Sequence, residues 1–165
     1  PWACTGWKPG DDPKKRGIIN SIYIDTETLA VHNDELQAMY KQVTANEQMW
    51  EEYNCENAEY IITAFGTVAR IAKSAINELK EKGIHVGLVR PITVWPFPYD
   101  AVAKAVNQPS VKAVLDVELN EGQMLEDVKL AVCGTKPIDF TGHCGSQMPT
   151  TDEIVEKILS MKEGK

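Results

Sequence analysis

The sequence is poor in the patterns on which most small functional modules depend. Its 4 cysteines are Cys4, Cys55, Cys133 and Cys144, and no two stand in a C-x-x-C arrangement. Local ferredoxin-type cluster loops and zinc ribbons are thereby excluded. Neither G-x-G-x-x-G nor G-x-x-x-x-G-K-[ST] occurs, so the glycine-rich loops that cradle nucleotide phosphates are missing. Basic residues are few. Lys and Arg number 17 against 24 Asp and Glu, the net charge is -7, and the one basic run is Lys14-Lys15-Arg16. That balance argues against nucleic acid as a partner. No stretch approaches the roughly 18 consecutive apolar residues of a membrane span. No signal peptide opens the chain, which reads as soluble and cytoplasmic. The H-x-E and H-E-x-x-H patterns are absent, and His32, His85 and His143 sit in unrelated contexts. No catalytic triad can be assembled. Cys133, His143 and Cys144 are the one local set of metal-ligating types. Adjacent ligands strain tetrahedral geometry and a fourth partner is missing, so these cysteines read as reduced thiols.

What is present is an ordinary globular composition, 43% hydrophobic and 25% charged, in a length that suits one domain. A chain of this size buries roughly 70% of its unfolded surface without disulfide or metal staples. Residues 1–32 read as a linker or lead-in from an upstream domain, since the chain begins at Pro1 and residues 1–17 are rich in Pro, Gly and charge. Ile18 to Ile24 reads as an extended edge segment. Residues 33–165 read as the folded domain. Asn33 is placed to cap a long helix, with Asp34 and Glu35 at its positive end. Leu36, Met39, Tyr40, Val43, Trp50 and Tyr53 form its apolar stripe, interrupted near Asn46. The stripe packs either on this domain's core or on a neighbouring domain or subunit.

From residue 58 the pattern becomes strand–helix alternation. Tyr60 to Phe65 reads as a strand buried on both faces, and Ile84 to Val89, Ala113 to Leu119 and the short Pro137 to Phe140 read as the strands that follow. Helices are expected from Thr67, with Gly83 as its stop, from about Tyr99 to Val106, from Gly122 to about Val132, and from Thr150 to Met161. Thr150 and Glu153 stand at capping-box spacing. The fold class is α/β, a three-layer α/β/α arrangement with a mostly parallel sheet, preceded by a long helix.

Ligands of such sheets bind beyond the carboxyl ends of the strands. Three loops fall there. Gly66 and Thr67 precede a helix N-terminus, which offers free N–H groups to an anion or is simply capped. Arg90, Trp95 and Phe97 lie on a proline-stiffened loop, where Arg90 clamps an anion or pairs with a neighbouring acid. Glu118, Asn120 and Gln123 form the third, with Glu118 a general-base candidate or a partner for Arg90.

Longer blocks carry a family resemblance. Gly83 to Pro98 (GIHVGLVRPITVWPFP) resembles a signature of the 2-oxoacid:ferredoxin oxidoreductase α subunits. Glu118, Asn120 and Gly122 to Val128 resemble the next block. Ala58 to Arg70, with AFGTVAR, resembles the first strand and turn. Ile18 to Ser21 and His32-Asn33 also look like this family, and IINSIYID looks most like the branched-chain form acting on 3-methyl-2-oxobutanoate. The departure is His143-Cys144-Gly145, where relatives more often carry an arginine- and glycine-rich turn.

The resemblance implies a transketolase C-terminal-like domain in an enzyme that oxidatively decarboxylates a 2-oxoacid with coenzyme A and reduces ferredoxin. It implies thiamine diphosphate, Mg2+ and iron–sulfur clusters for the whole enzyme, all held outside this domain. The implied role here is a scaffold contacting an N-terminal domain and other subunits. Gly66, Thr67, Arg90, Trp95, Phe97, Glu118, Asn120 and Gln123 are then strand-end or interface candidates. The alternative is a stand-alone module that binds coenzyme A or another small anion.

Overall fold

The computed structural model describes Gly6 and residues 8–12 and 21–164. Cys4, the Lys14-Lys15-Arg16 run and residues 18–20 of the expected edge segment lie outside the described residues. Chain contacts divide the molecule into Pro1–Gln42 and Val43–Lys165.

Helix α1 (Thr26–Asn46) starts seven residues before the expected Asn33. The reason is Asp25, whose Oδ2 accepts a hydrogen bond from the Thr28 N–H at 2.7 Å. This is the N-cap geometry, and it satisfies a donor with no intrahelical partner. Asn33 instead lies mid-helix. Leu36 and Val43 are half-buried, Met39 and Tyr40 are exposed, and no residue of α1 is buried. Trp50 and Tyr53 are not on the helix. They belong to strand β1 (Trp50–Tyr53), where exposure alternates along the chain. Tyrosine and tryptophan suit a pleated half-buried surface, and the acidic Glu51-Glu52 pair between them mimics helical composition.

The second unit is built on β1, β2 (Tyr60–Thr63), β3 (Val86–Pro91), β4 (Ala113–Glu118) and β5 (Ile138–Gly142). Their order is β1-β3-β2-β4-β5. β2, β3, β4 and β5 pair in parallel, and β1 adds antiparallel to β3 at the edge. The expected central strands are therefore present, with ends moved by one or two residues. All residues of β2 and β4 are buried, because each crossover lays a helix on one face or the other.

Helices α2 (Gly66–Glu81) and α5 (Thr151–Glu163) cover one face; α3 (Tyr99–Val106) and α4 (Gln123–Val132) cover the opposite one. On the first face Val68, Ala72, Ile76 and Leu79 of α2 and Ile154 and Ile158 of α5 close over Ile62, Leu88 and Leu115. On the second, Val102, Val106, Val128 and Val132 close over Ile61, Val89 and Val114. Each such valine, leucine or isoleucine taken from water stabilises the fold by roughly 1.5–3 kcal/mol. α5 begins with the expected capping box: Thr150 Oγ1 accepts from the Glu153 N–H, and Glu153 Oε2 accepts from the Thr150 N–H.

The β1–β2 connection is pinned by amides. Asn54 Nδ2 donates to the Val86 carbonyl at 2.9 Å, and Gln108 Nε2 donates to the carbonyls of Cys55 and Ala105, each at 3.0 Å. This brings the connection so close to β3 that a Cβ on Gly87 would lie 2.7 Å from the Cα of Cys55. Gly87→Ala is expected to lower stability by about 1–3 kcal/mol, measured by urea unfolding with circular dichroism.

Candidate functional site

The crossovers from β2 and β4 run in opposite directions, so the topological switch point lies between the carboxyl ends of these two strands. Open α/β sheets bind their ligands in that crevice. Here it is filled from within. Thr63, Asp116 and Glu118 are the fully buried polar side chains among the described residues. They converge on the α3/α4 side, because side chains two apart on a strand share a face.

Glu118 ends β4 and reaches over the start of α4. Its Oε2 accepts the Met124 N–H at 2.9 Å, its Oε1 the Leu125 N–H at 2.9 Å, and its Oε2 also the Asn120 Nδ2 at 2.9 Å. Asn120 Oδ1 in turn accepts the N–H groups of Gly122 and Gln123, each at 2.8 Å. Gly122 holds the left-handed φ of 97° that turns the chain into α4, a conformation glycine adopts without side-chain strain. Four backbone donors at a helix N-terminus thus meet oxygens of their own chain. An external anion would find none of them free. Gln123 is exposed, and only its backbone N–H takes part in this loop.

Thr63 Oγ1 donates to Asp116 Oδ1 at 2.6 Å across the β2–β4 pair. Asp116 Oδ2 is buried with no hydrogen-bond partner. Burial pushes the Asp116 carboxyl up to about 8. The Thr63 hydroxyl pulls the other way, and the neighbouring Glu118 carboxyl adds to the rise. The acid inside the apolar A-V-L-D-V-E-L run is the sequence signal for Asp116, which lies on the strand and not in a strand-end loop.

Arg90 does not pair with Glu118, because β2 lies between β3 and β4. Its partner is Glu51 on β1: Arg90 Nη1 donates to Glu51 Oε2 at 3.1 Å, and Lys73 Nζ donates to Glu51 Oε1 at 2.5 Å. These two cations hold the Glu51 carboxyl below its usual range, Lys73 foremost. Glu51 escaped sequence reading because the pairing of β1 with β3 leaves no local pattern. Thr67 does not cap α2. The N-cap is Phe65, with no side-chain cap bond, and Gly66 follows at φ 58°.

In the proline loop, which holds a cis Trp95–Pro96 bond, Phe97 is packed into its own domain's core. Trp95 is 60% exposed, beside the exposed Val94 and Ile92. Trp95 and Phe97 therefore do not form one surface. Phe97 has no surface to offer a neighbour, whereas Trp95 does.

His143 Nε2 lies 3.1 Å from Glu153 Oε1. Cys133 is exposed at the end of α4, and the Cys144 thiol is raised by a hydrogen bond with Glu121. Among the described residues no group of three His, Cys, Asp or Glu is placed to hold a metal ion. Among the same residues no helix is long and apolar enough to cross a membrane.

Residues 58–154 match the model of the pyruvate:ferredoxin oxidoreductase core domain II. Ketoisovalerate oxidoreductase subunit VorB of Methanothermobacter marburgensis is 34% identical over 95% of the chain, and that of Methanothermobacter thermautotrophicus 32% identical over 93%. The chain belongs to the 2-oxoacid:ferredoxin oxidoreductase family. It spans 43% of the length of each of these relatives. Its fold resembles part of the 2-oxoglutarate:ferredoxin oxidoreductase of Magnetococcus marinus, solved with 2-oxoglutarate, coenzyme A and succinyl-CoA bound. That match has a TM-score of 0.71 and 20% identity, and covers 92% of this chain and 27% of the other. A weaker fold match, TM-score 0.52, is to a split-gene transketolase and covers 62% of this chain and 37% of that one. The transketolase-like layering expected from the sequence is thus present.

Two outcomes follow from the buried carboxyls. An unfolded Asp ionises near 4, whereas folded Asp116 keeps its proton to about 8. Folding takes up a proton between those values, so this group's contribution to stability is full below about 4 and lost as pH rises to about 8. Asp116→Asn is expected to flatten that slope in urea titrations run across the interval. Glu118→Ala strands three donors, that of Met124 buried and those of Leu125 and Asn120 half-buried, and is expected to cost about 2 kcal/mol or more. Glu118→Gln, which keeps one acceptor oxygen, should cost less, by the same unfolding measurement.

Proposed function

We propose that this chain is the second core domain of a VorB-type subunit in an enzyme acting on a branched-chain 2-oxoacid. The whole enzyme would oxidatively decarboxylate the acid, transfer the acyl group to coenzyme A and pass the electrons to ferredoxin. The observation that carries this reading is the 32–34% identity to two ketoisovalerate oxidoreductase subunits over nearly the whole chain. More distant relatives support the broader class. A 2-oxoglutarate synthase subunit KorA matches at 28% over 65% of the chain, and a pyruvate synthase subunit PorA at 25% over 90%.

Within that enzyme the domain is assigned a positioning role. The strand-end crevice that would hold a cofactor is occupied by Glu118 and Asn120, and its helix N-terminus has no donors left to give. Thiamine diphosphate, Mg2+, iron–sulfur clusters and coenzyme A are therefore assigned to the rest of the subunit and to its partners. Trp95 is the side chain assigned to that contact. It projects from a loop stiffened by Pro96 and Pro98, so little conformational entropy is lost when it is covered.

Two measurements test the assignment. In the assembled enzyme, dye-linked turnover should favour 2-oxoisovalerate over pyruvate and 2-oxoglutarate; a preference for either of the latter overturns the substrate class. Trp95→Asp should abolish co-purification with the other subunits while the chain's own thermal unfolding is unchanged. Retained assembly, or tight binding of thiamine diphosphate by the 165-residue chain in calorimetry, overturns the positioning role.

A further inference from the structure

A second strand-end feature is left unused by that role. Between the first turns of α2 and the end of β3 lies a cavity of about 110 Å3, lined by Gly66, Ala69, Arg70, Lys73 and Arg90. Three of its five lining residues are cations and none is an acid. One carboxylate, Glu51, stands beside it and is shared between Lys73 and Arg90. Arg70 makes no ion pair among the described residues and is exposed. Arg90 Nε is buried with no hydrogen-bond partner. The cluster is thus three positive charges against one negative, in a chain whose net charge is -7.

Charges of one sign gathered at a cavity repel one another. Leaving a guanidinium N–H buried and unpaired adds a desolvation cost. Both costs fall when an anion with several acceptor oxygens enters. The surroundings suit such an entry. A Cβ built on Gly66 meets nothing within 4 Å, so the backbone there is open to close approach. α2 begins at Gly66, which lines the cavity, and carries no side-chain cap, whereas the first N–H groups of α4 are taken by Glu118 and Asn120; the positive end of the α2 dipole thus lies at the cavity.

We propose that this cavity binds a dianionic phosphate group, with Arg70 and Arg90 as its principal donors, Lys73 as a point charge, and Glu51 as an internal competitor that releases Lys73 and Arg90 when the anion arrives. Arginine's planar fork matches the acceptor geometry of phosphate. The cavity admits the phosphate group itself, so an ester would leave its organic part outside. This assignment does not rest on the branched-chain reading and stands or falls separately from it.

The test is calorimetric titration of the 165-residue chain with inorganic phosphate and, in parallel, with methyl phosphate. Saturable binding of either ligand is expected. Equal binding of both assigns an esterified phosphate, and binding of inorganic phosphate alone assigns the free anion. Arg70→Ala, a substitution on the surface of α2, should weaken binding about tenfold or more, which is about 1.4 kcal/mol, and Arg70→Lys should restore part of it. Glu51→Gln should tighten binding, because Lys73 and Arg90 lose their internal anion; a purely structural ion pair predicts lower thermal stability with no gain in affinity. No saturable binding of either ligand, or affinity unchanged by Arg70→Ala in a chain of unaltered circular dichroism, overturns the site.

Discussion

The carboxyl of Glu118 lies buried at the end of a buried strand and receives two backbone N–H groups of α4 together with the Asn120 amide. A buried carboxyl costs several kcal/mol unless its oxygens are satisfied, and here the donors that satisfy it are the ones a helix N-terminus leaves open. The two costs cancel against each other. Their cancellation fixes where β4 ends and where α4 begins. It also fixes how the loop between them is folded, since Asn120 is held from both sides. β4 pairs with β2 and β5, so the placement of half the sheet depends on this one arrangement. Asp116, two residues earlier on the same face, is drawn into the same buried environment and takes its raised proton affinity from it.

Much of the architecture was legible because it follows from period and punctuation. Tyr60 to Thr63 and Ala113 to Glu118 are buried on both faces, and uninterrupted apolar runs announce that. Thr150 and Glu153 carry their capping box in the sequence itself. The edge strand was hidden for the opposite reason. Trp50–Tyr53 is four residues with two glutamates, read as the tail of a helix, and only tertiary pairing with β3 makes it a strand. The start of α1 was misplaced because Asp25 and Asn33 are both competent caps, and local chemistry alone does not choose between them. The three loops follow the ends of β2, β3 and β4, but the partners of their side chains depend on strand order. Arg90 pairs with Glu118 only if successive strands are neighbours. The order β3-β2-β4 separates them and supplies Glu51 instead, from a strand the sequence did not reveal.

The two helix N-termini at this end of the sheet make the functional contrast. α4 is capped by side chains of its own loop, which converts the switch-point crevice into part of the core. α2 opens with Gly66 and no side-chain cap, beside a cationic cavity. Both helices present the same backbone dipole. What differs is whether the chain supplies the anion itself. With the switch point closed by Glu118, the cationic cavity at this end of the sheet lies on the α2 face, between β3 and the helix.

That division also suits a domain that positions others. A scaffold transmits geometry well when its interior is close-packed and its buried polar groups are satisfied, and the Glu118 carboxyl at the β4–α4 junction meets both conditions. A regulatory or ligand-sensing point is better placed where charges are balanced imperfectly, so that a small anion changes which side chains pair. Glu51 sits on the antiparallel edge strand, the part of the sheet least constrained by crossovers, and shares its carboxylate between a helix and a central strand. Displacing that carboxylate would loosen β1 from α2 without disturbing the Glu118 junction. The two carboxyls thus stand at the ends of one sheet in opposite settings: Glu118 buried and fully bonded, Glu51 half-exposed and outnumbered by cations.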